Sequence, residues 1–200
     1  MKKAVIIAAG SADFIDTDGA GIIIAADGGY DNALRLGVMP DLFVGDMDSV
    51  KENVDTEKVT LNREKDFTDT EIAIEEAILR GYDRIDIFGA TGTRLDHTLA
   101  NIFMMKKYLS RNVDVRIIDS HNKMRAITGD NAFSGLKGKT VSFIPADTAV
   151  SGVTLSGFKY PLSDGDVEIG TTLTVSNVAV SDEVHVNIKN GTLIMIIAKD

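Results

Sequence analysis

Two hundred residues, 44% of them hydrophobic, leave room for one sizeable domain or two small ones around a packed core, and no apolar run is long enough to cross a bilayer as a helix. Thirty acidic residues against 21 basic ones give a net charge of −9 with no compensating Lys/Arg cluster, which argues against DNA or RNA as a partner. Cysteine is absent, which excludes disulfides, thiolate zinc sites and cysteine nucleophiles.

The chain opens with Met1-Lys2-Lys3 ahead of a short apolar stretch that runs into Gly10 and Asp13. That stretch is too short for a signal peptide and reads as a buried strand, so a cytoplasmic protein without membrane contact is expected. Apolar, strand-like runs follow at residues 4–8, 21–26, 41–44, 58–61, 84–88 and 113–118. Helical patterns lie between them. Residues 30–36 carry a short one; residues 70–80 place Ile72, Ile74, Ala77 and Ile78 on one side, with Asp69 or Thr70 as cap and Gly81 beyond the end. A third helix is expected over residues 96–110, with Leu99, Ile102, Phe103 and Met104 or Met105 packing inward. Alternation of this kind is the signature of a parallel sheet covered by helices.

From about Met124 the period changes to the two-residue alternation of antiparallel strands. Asn190-Gly191, between apolar runs at 184–188 and 193–197, predicts a two-residue hairpin, and Asp164-Gly165 predicts another turn. A β module of this size is small for independent stability and should pack on the first half or on a second copy.

Several predicted strands end in acidic, glycine-bearing sequence. Ile22–Ala26 leads into Asp27-Gly28-Gly29, Leu42-Phe43-Val44 into Gly45-Asp46-Met47-Asp48-Ser49, the fourth run into Lys65-Asp66-Phe67-Thr68-Asp69-Thr70-Glu71, and the fifth into Gly89-Ala90-Thr91-Gly92-Thr93-Arg94-Leu95-Asp96-His97-Thr98. In an open parallel sheet the carboxyl ends of the strands share one edge, where ligands bind. Asp27, Asp46, Asp48, Asp69 and Asp96 would repel one another there unless a cation lies among them, and Mg²⁺ suits a few carboxylates with water and phosphate oxygens. Lys65, Arg94 and His97 can offset phosphate charge, while Gly28, Gly29, Gly89 and Gly92 admit close backbone approach. The same residues also have plainer readings. Asp69 can be a helix cap, Asp27-Gly28-Gly29 a tight turn, His97 a surface residue and Lys65-Asp66 a solvated pair. The Gly89 segment lacks the Gly-Lys-Ser/Thr ending of a Walker loop, so conventional P-loop chemistry is disfavoured.

In order and spacing these segments, with Pro40-Asp41 and Asn101, resemble the thiamine pyrophosphokinases (thiamine diphosphokinases). Gly157-Phe158-Lys159-Tyr160-Pro161-Leu162 and Ser176-Asn177 are similar to that family's thiamine-domain signatures. The resemblance implies an α/β N-terminal domain with a mostly parallel, Rossmann-like sheet, followed by a smaller all-β sandwich domain. Residues 1–123 would form the nucleotide-binding catalytic domain and residues 124–200 the thiamine-binding and dimerisation domain. It further implies a homodimer with the substrate site near the subunit interface, and Mg²⁺-dependent transfer of a diphosphoryl group from ATP to the thiamine hydroxyl, giving thiamine diphosphate and AMP. On this resemblance Asp46, Asp48 and Asp69 lie with the metal and triphosphate, and Asp27 and Asp96 complete the acidic crevice. Lys65 and Arg94 serve the transfer itself, and Asp69 or Asp96 takes the hydroxyl proton. Gly28, Gly29, Asn32, Thr70, Gly92, Arg94, His97 and Asn101 serve the nucleotide, and Tyr160, Ser176 and Asn177 the thiamine. Two departures fall in the thiamine segment: Val178 follows Ser176-Asn177 where the family commonly has Glu, and Tyr160 stands where relatives can have Trp. The alternatives are a pyrophosphokinase for another hydroxymethyl heterocycle such as a pterin, and a non-catalytic sensor of nucleotide or thiamine.

Overall fold

The computed structural model describes residues 1–46, 56–60, 66–92 and 94–199. Its first half runs β1 (Lys3–Ile7), β2 (Ala20–Ala26), α1 (Gly29–Arg35), β3 (Leu42–Gly45), β4 (Glu57–Thr60), α2 (Asp69–Leu79), β5 (Arg84–Phe88), α3 (Leu95–Leu109) and β6 (Asp114–Ile118). The six strands are parallel in the order β4-β3-β2-β1-β5-β6. Both faces of the central strands are covered, which is why their sequences are nearly unbroken apolar runs. On one face Ala4, Ile6 and Ile24 pack with Ala73, Ile74 and Ala77 of α2 and with Met105 and Tyr108 of α3. On the other, Val5, Ile7 and Phe88 meet Ala33 of α1.

The second half runs β7 (Asn122–Phe133), β8 (Thr140–Pro145), β9 (Ala149–Ser156), β10 (Leu162–Glu168), β11 (Asn177–Val178) and β12 (Val184–Ala198). It continues the same sheet, because β7 pairs antiparallel with β6 and β12 lies along β7. Met124, Ala126 and Ile194 thereby join the core of the first half. A second core, which includes Phe143, Val153, Phe158 and Val186, lies within the β strands. No helix among the described residues is long and apolar enough to cross a membrane.

Four local expectations are corrected. Asn190-Gly191 closes no hairpin: β12 is one strand, and its register on β7 jumps between Ile188↔Gly129 and Leu193↔Ile127. Both flanks stay paired to β7, so residues 189–192 form a bulge against it, with Asn190 still paired to Ser151 of β9 and Thr128 Oγ1 donating to the Gly191 carbonyl at 2.7 Å. The bend lets the first part of β12 pair with β9 and the second with β8. Asp164-Gly165 likewise lies inside β10, at register shifts against β9, with Asp164 at φ +51°. The cap of α2 is Thr68, whose Oγ1 accepts from the Glu71 N–H at 3.2 Å. Finally, α3 is rotated relative to its apolar pattern. Asn101, Met105 and Tyr108 are buried, whereas Leu99 and Phe103 are exposed. The turn that buries Asn101 lets its Nδ2 donate to the Ala90 carbonyl at 2.9 Å, and this leaves Leu95, Leu99 and Phe103 on the outer stripe.

Candidate active site

The carboxyl ends of β1, β2 and β5 and the first turns of α2 and α3 surround a crevice of about 300 Å³. Its floor depends on two glycines. The Gly10 N–H donates to the Gly89 carbonyl at 2.8 Å, and the Ser11 N–H to Thr91 at 2.7 Å, which draws the β1 and β5 loops into contact. A Cβ on Gly10 would overlap the Gly89 and Thr91 carbonyls; one on Gly89, which sits at φ +69°, would overlap the Ala8 carbonyl. Both loops can therefore present backbone to a ligand at close range.

Asp27 ends β2 in the left-handed region at φ +50°, its N–H bonded to the Val44 carbonyl at 2.8 Å. Its neighbour Gly28 stands at the start of α1, and Gly29 packs so closely on the Ile7 carbonyl that a side chain has no room. Asp69 and Thr70, from the first turn of α2, line the crevice with Asp27, and Gly92, Arg94, His97 and Asn101 line it from the β5–α3 side. Two helices of 11 and 15 residues thus begin at one cavity, and their partial positive ends favour an anion there. Asp46 is half-buried directly after β3, the strand paired with β2.

Other residues named from sequence stand elsewhere. Asp96 does not line the crevice; it holds Arg94 at the rim. That contact keeps the Asp96 carboxyl well below the usual carboxylate range and raises the Arg94 guanidinium further. Asn32 spends its amide on the scaffold, donating to Ala8 at 3.0 Å and Gly10 at 2.8 Å. Asp48 and Lys65 lie outside the described residues. Tyr160, Ser176 and Asn177 are on the β half and do not line the crevice of the same chain. Asn177 is buried: its Oδ1 accepts from the Tyr160 and Val178 N–H groups, and its Nδ2 donates to the Tyr160 carbonyl at 2.7 Å. Tyr160 is 59% exposed, with Lys159 Nζ 5.4 Å from the ring centre. Ser176 is exposed at φ +57°.

Sequence reading missed the Ala8-Ala9-Gly10 wall and Thr68, Thr91 and Thr98, all of which line the crevice. The strand-end rule that flagged Asp27 applies equally to β1 and would have found the first of these.

Whether the residues suit a divalent cation can be judged from their donors. Among the described residues no three Asp, Glu or His side chains form a closed metal cage. Asp27 and Asp69 in one crevice, with Asp46 at the next strand end, instead give an incomplete all-oxygen set. That fits Mg²⁺, which keeps water and phosphate oxygens in its shell.

A family model described as "Thiamin pyrophosphokinase, catalytic domain" matches residues 17–117, and one described as "Thiamin pyrophosphokinase, vitamin B1 binding domain" matches residues 126–193. Thiamine pyrophosphokinase of Bacillus subtilis (strain 168) is 33% identical over 214 residues, covering 100% of both chains. The crystal structure of thiamine pyrophosphokinase from Bacillus subtilis matches with a TM-score of 0.90 at 31% identity, again over 100% of both chains. That of thiamin pyrophosphokinase from Geobacillus thermodenitrificans gives 0.86 at 29% identity, over 99% of this chain and 98% of that one.

Proposed function

The chain belongs to the thiamin pyrophosphokinase family of enzymes, and we propose that its crevice transfers the β,γ-diphosphoryl group of ATP to the hydroxyl of thiamine, giving thiamine diphosphate and AMP. The observation that carries this reading is the convergence of Asp27, Asp69, Arg94 and His97 on one cavity at the carboxyl edge of a parallel sheet. The sheet serves as a Rossmann-like nucleotide platform, with residues 1–123 as the nucleotide-binding catalytic domain and residues 124–200 as the thiamine-binding and dimerisation domain. The reaction is assigned to the cytoplasm.

In the proposed step the thiamine hydroxyl oxygen attacks the β-phosphorus in line, and the bond from that phosphorus to the bridging oxygen of AMP breaks. The electron pair leaves with AMP. Such transfers depend on positioning and charge stabilisation more than on covalent help from the protein. Asp46, Asp48 and Asp69 would hold Mg²⁺, which supplies charge neutralisation for the triphosphate when bound. Arg94 and Lys65 are assigned to the phosphate oxygens, and the N-termini of α2 and α3 add their dipoles. Of the two carboxylates considered as acceptors for the hydroxyl proton, Asp96 is engaged by Arg94 and held ionised. Asp69 lines the crevice and is the better acceptor.

Thiamine carries a cationic ring, which suits the exposed face of Tyr160 and the acidic field of the chain. Because Tyr160 and Ser176 do not line the crevice of their own chain, the thiamine end of the site is assigned to a second copy, in a homodimer. Asn177 then acts by fixing the backbone that presents Tyr160.

Incubation with ATP, Mg²⁺ and thiamine tests the reading. AMP and thiamine diphosphate in equal amounts support it. Faster turnover of a hydroxymethyl pterin would move the substrate to another heterocycle, and binding of ATP and thiamine without AMP release would make the chain a sensor.

A further inference from the structure

A second cavity of about 420 Å³ lies between the β6–β7 turn, the β7–β8 connection and the end of β12, divided from the crevice by the Thr91–Asp119 hydrogen bond. Its walls are tied together by backbone. Ala198 of β12 pairs with Asn122 on one side and Thr140 on the other, and the Lys199 N–H donates to the His121 carbonyl at 2.8 Å. Lys123, Lys139 and Lys199 come from three separate segments to line it, with His121 beside them and the Phe14 ring on the remaining side.

The charge balance there is the reverse of the molecule's. In a chain of net charge −9, Lys3, Lys106, Lys107 and Lys189 each pair with a carboxylate, yet none of these three lysines has an ion-pair partner among the described residues. Among the described residues the one carboxylate in the wall is Asp119, and its oxygens are occupied. Its Oδ1 accepts from the His121 N–H at 2.9 Å and the Asn122 N–H at 2.7 Å, and its Oδ2 accepts from Thr91 Oγ1 at 3.0 Å. Three lysines against one carboxylate leave the described wall with an excess of positive charge, which raises the local potential and attracts a counter-ion. The volume lies in the range of small-molecule sites.

We propose that this cavity is a binding site for a small phosphate-bearing anion, separate from the crevice and independent of the reaction assigned to it. The lysines supply charge-assisted hydrogen bonds to phosphate oxygens, and Phe14 closes the apolar side.

Calorimetric titration with inorganic pyrophosphate, without nucleotide or thiamine, provides the test. The wild-type protein is expected to show two classes of site. The Lys123→Ala/Lys139→Ala variant is expected to lose one class, or to weaken it about 10-fold or more, while Arg94→Ala keeps that class. A double variant that titrates like wild type, or a single class abolished by Arg94→Ala, would overturn the proposal. Should the double variant fold poorly, amide NMR of the ¹⁵N-labelled wild type decides. Pyrophosphate should shift the His121, Gly138, Lys139 and Lys199 amides on a saturation curve distinct from that of Gly89 and Gly92. Shifts confined to Gly89 and Gly92 would refute the second site.

Discussion

Arg94 grips Asp96 with one edge of its guanidinium, Nε to Oδ1 at 2.9 Å and Nη2 to Oδ2 at 2.6 Å, two residues apart at the rim of the crevice. The two side chains are 70% and 64% exposed, so the pair adds little to stability. Its value is in aiming the guanidinium. Arg94→Ala is expected to lower kcat/KM for ATP about 100-fold while the melting temperature moves by less than about 2 °C. Steady-state kinetics and thermal unfolding of the same preparation check both parts.

Asn177 and Tyr160 should separate structural from substrate roles. Asn177 is 3% exposed and satisfies three backbone groups, so Asn177→Ala leaves them unpaired and should cost about 2–4 kcal/mol. Tyr160→Ala removes an exposed ring and should leave stability nearly unchanged while raising KM for thiamine. Denaturant unfolding and thiamine kinetics distinguish the two.

Gly89→Ala is expected to disrupt the crevice floor. The substitution combines φ +69° with overlap against the Ala8 carbonyl, a strand-end atom that cannot withdraw without moving β1. A loss of more than about 2 kcal/mol together with lost ATP binding is the expected outcome. Gly19→Ala, also at positive φ but with nothing near its Cβ, serves as the control and should cost about 1 kcal/mol.

Glu75 of α2 joins α3 and the second residue past its end: Arg111 donates to both of its oxygens, at 2.5 and 3.0 Å, and Tyr108 Oη donates at 3.1 Å. The Arg111 hydrogen bonds hold its carboxyl below the ordinary value of 4.5, and burial beside Glu75 pushes the Tyr108 phenol up. A depressed carboxylate contributes its full stabilisation above that ordinary value and loses it as pH falls through the folded one. Glu75→Gln should therefore cost about 1 kcal/mol at pH 7, discounted because the side chain is 35% exposed, and progressively less below pH 4.5. Urea unfolding across this pH range would show it.

Much of the first half was legible because its strands are buried on both faces, which leaves contiguous apolar runs such as Ile22-Ile23-Ile24 with acidic or glycine residues at their ends. That arrangement identifies the sheet and the edge where Asp27 and Asp69 meet. What failed was non-local. Asn190-Gly191 carries the chemistry of a hairpin, but pairing of both flanks with β7 outweighs local turn preference and turns the dipeptide into a bulge. The orientation of α3 was hidden because Leu99 and Phe103 are as apolar as the buried Met105, and only the fold reveals that Asn101 must reach Ala90. Asn32 illustrates the same limit, since an amide near a phosphate-type loop looks like a ligand contact until its partners, Ala8 and Gly10, are seen.

The central claim is that aspartates far apart in sequence form one cation-dependent grip on a triphosphate, and calorimetric binding of a non-hydrolysable ATP analogue, with and without Mg²⁺, tests it most directly. Asp27→Asn/Asp69→Asn should retain the wild-type melting temperature yet bind the Mg²⁺ complex about 30-fold or more weakly. Equal affinity in the wild type and this double variant, or wild-type binding that is indifferent to Mg²⁺, would contradict the account.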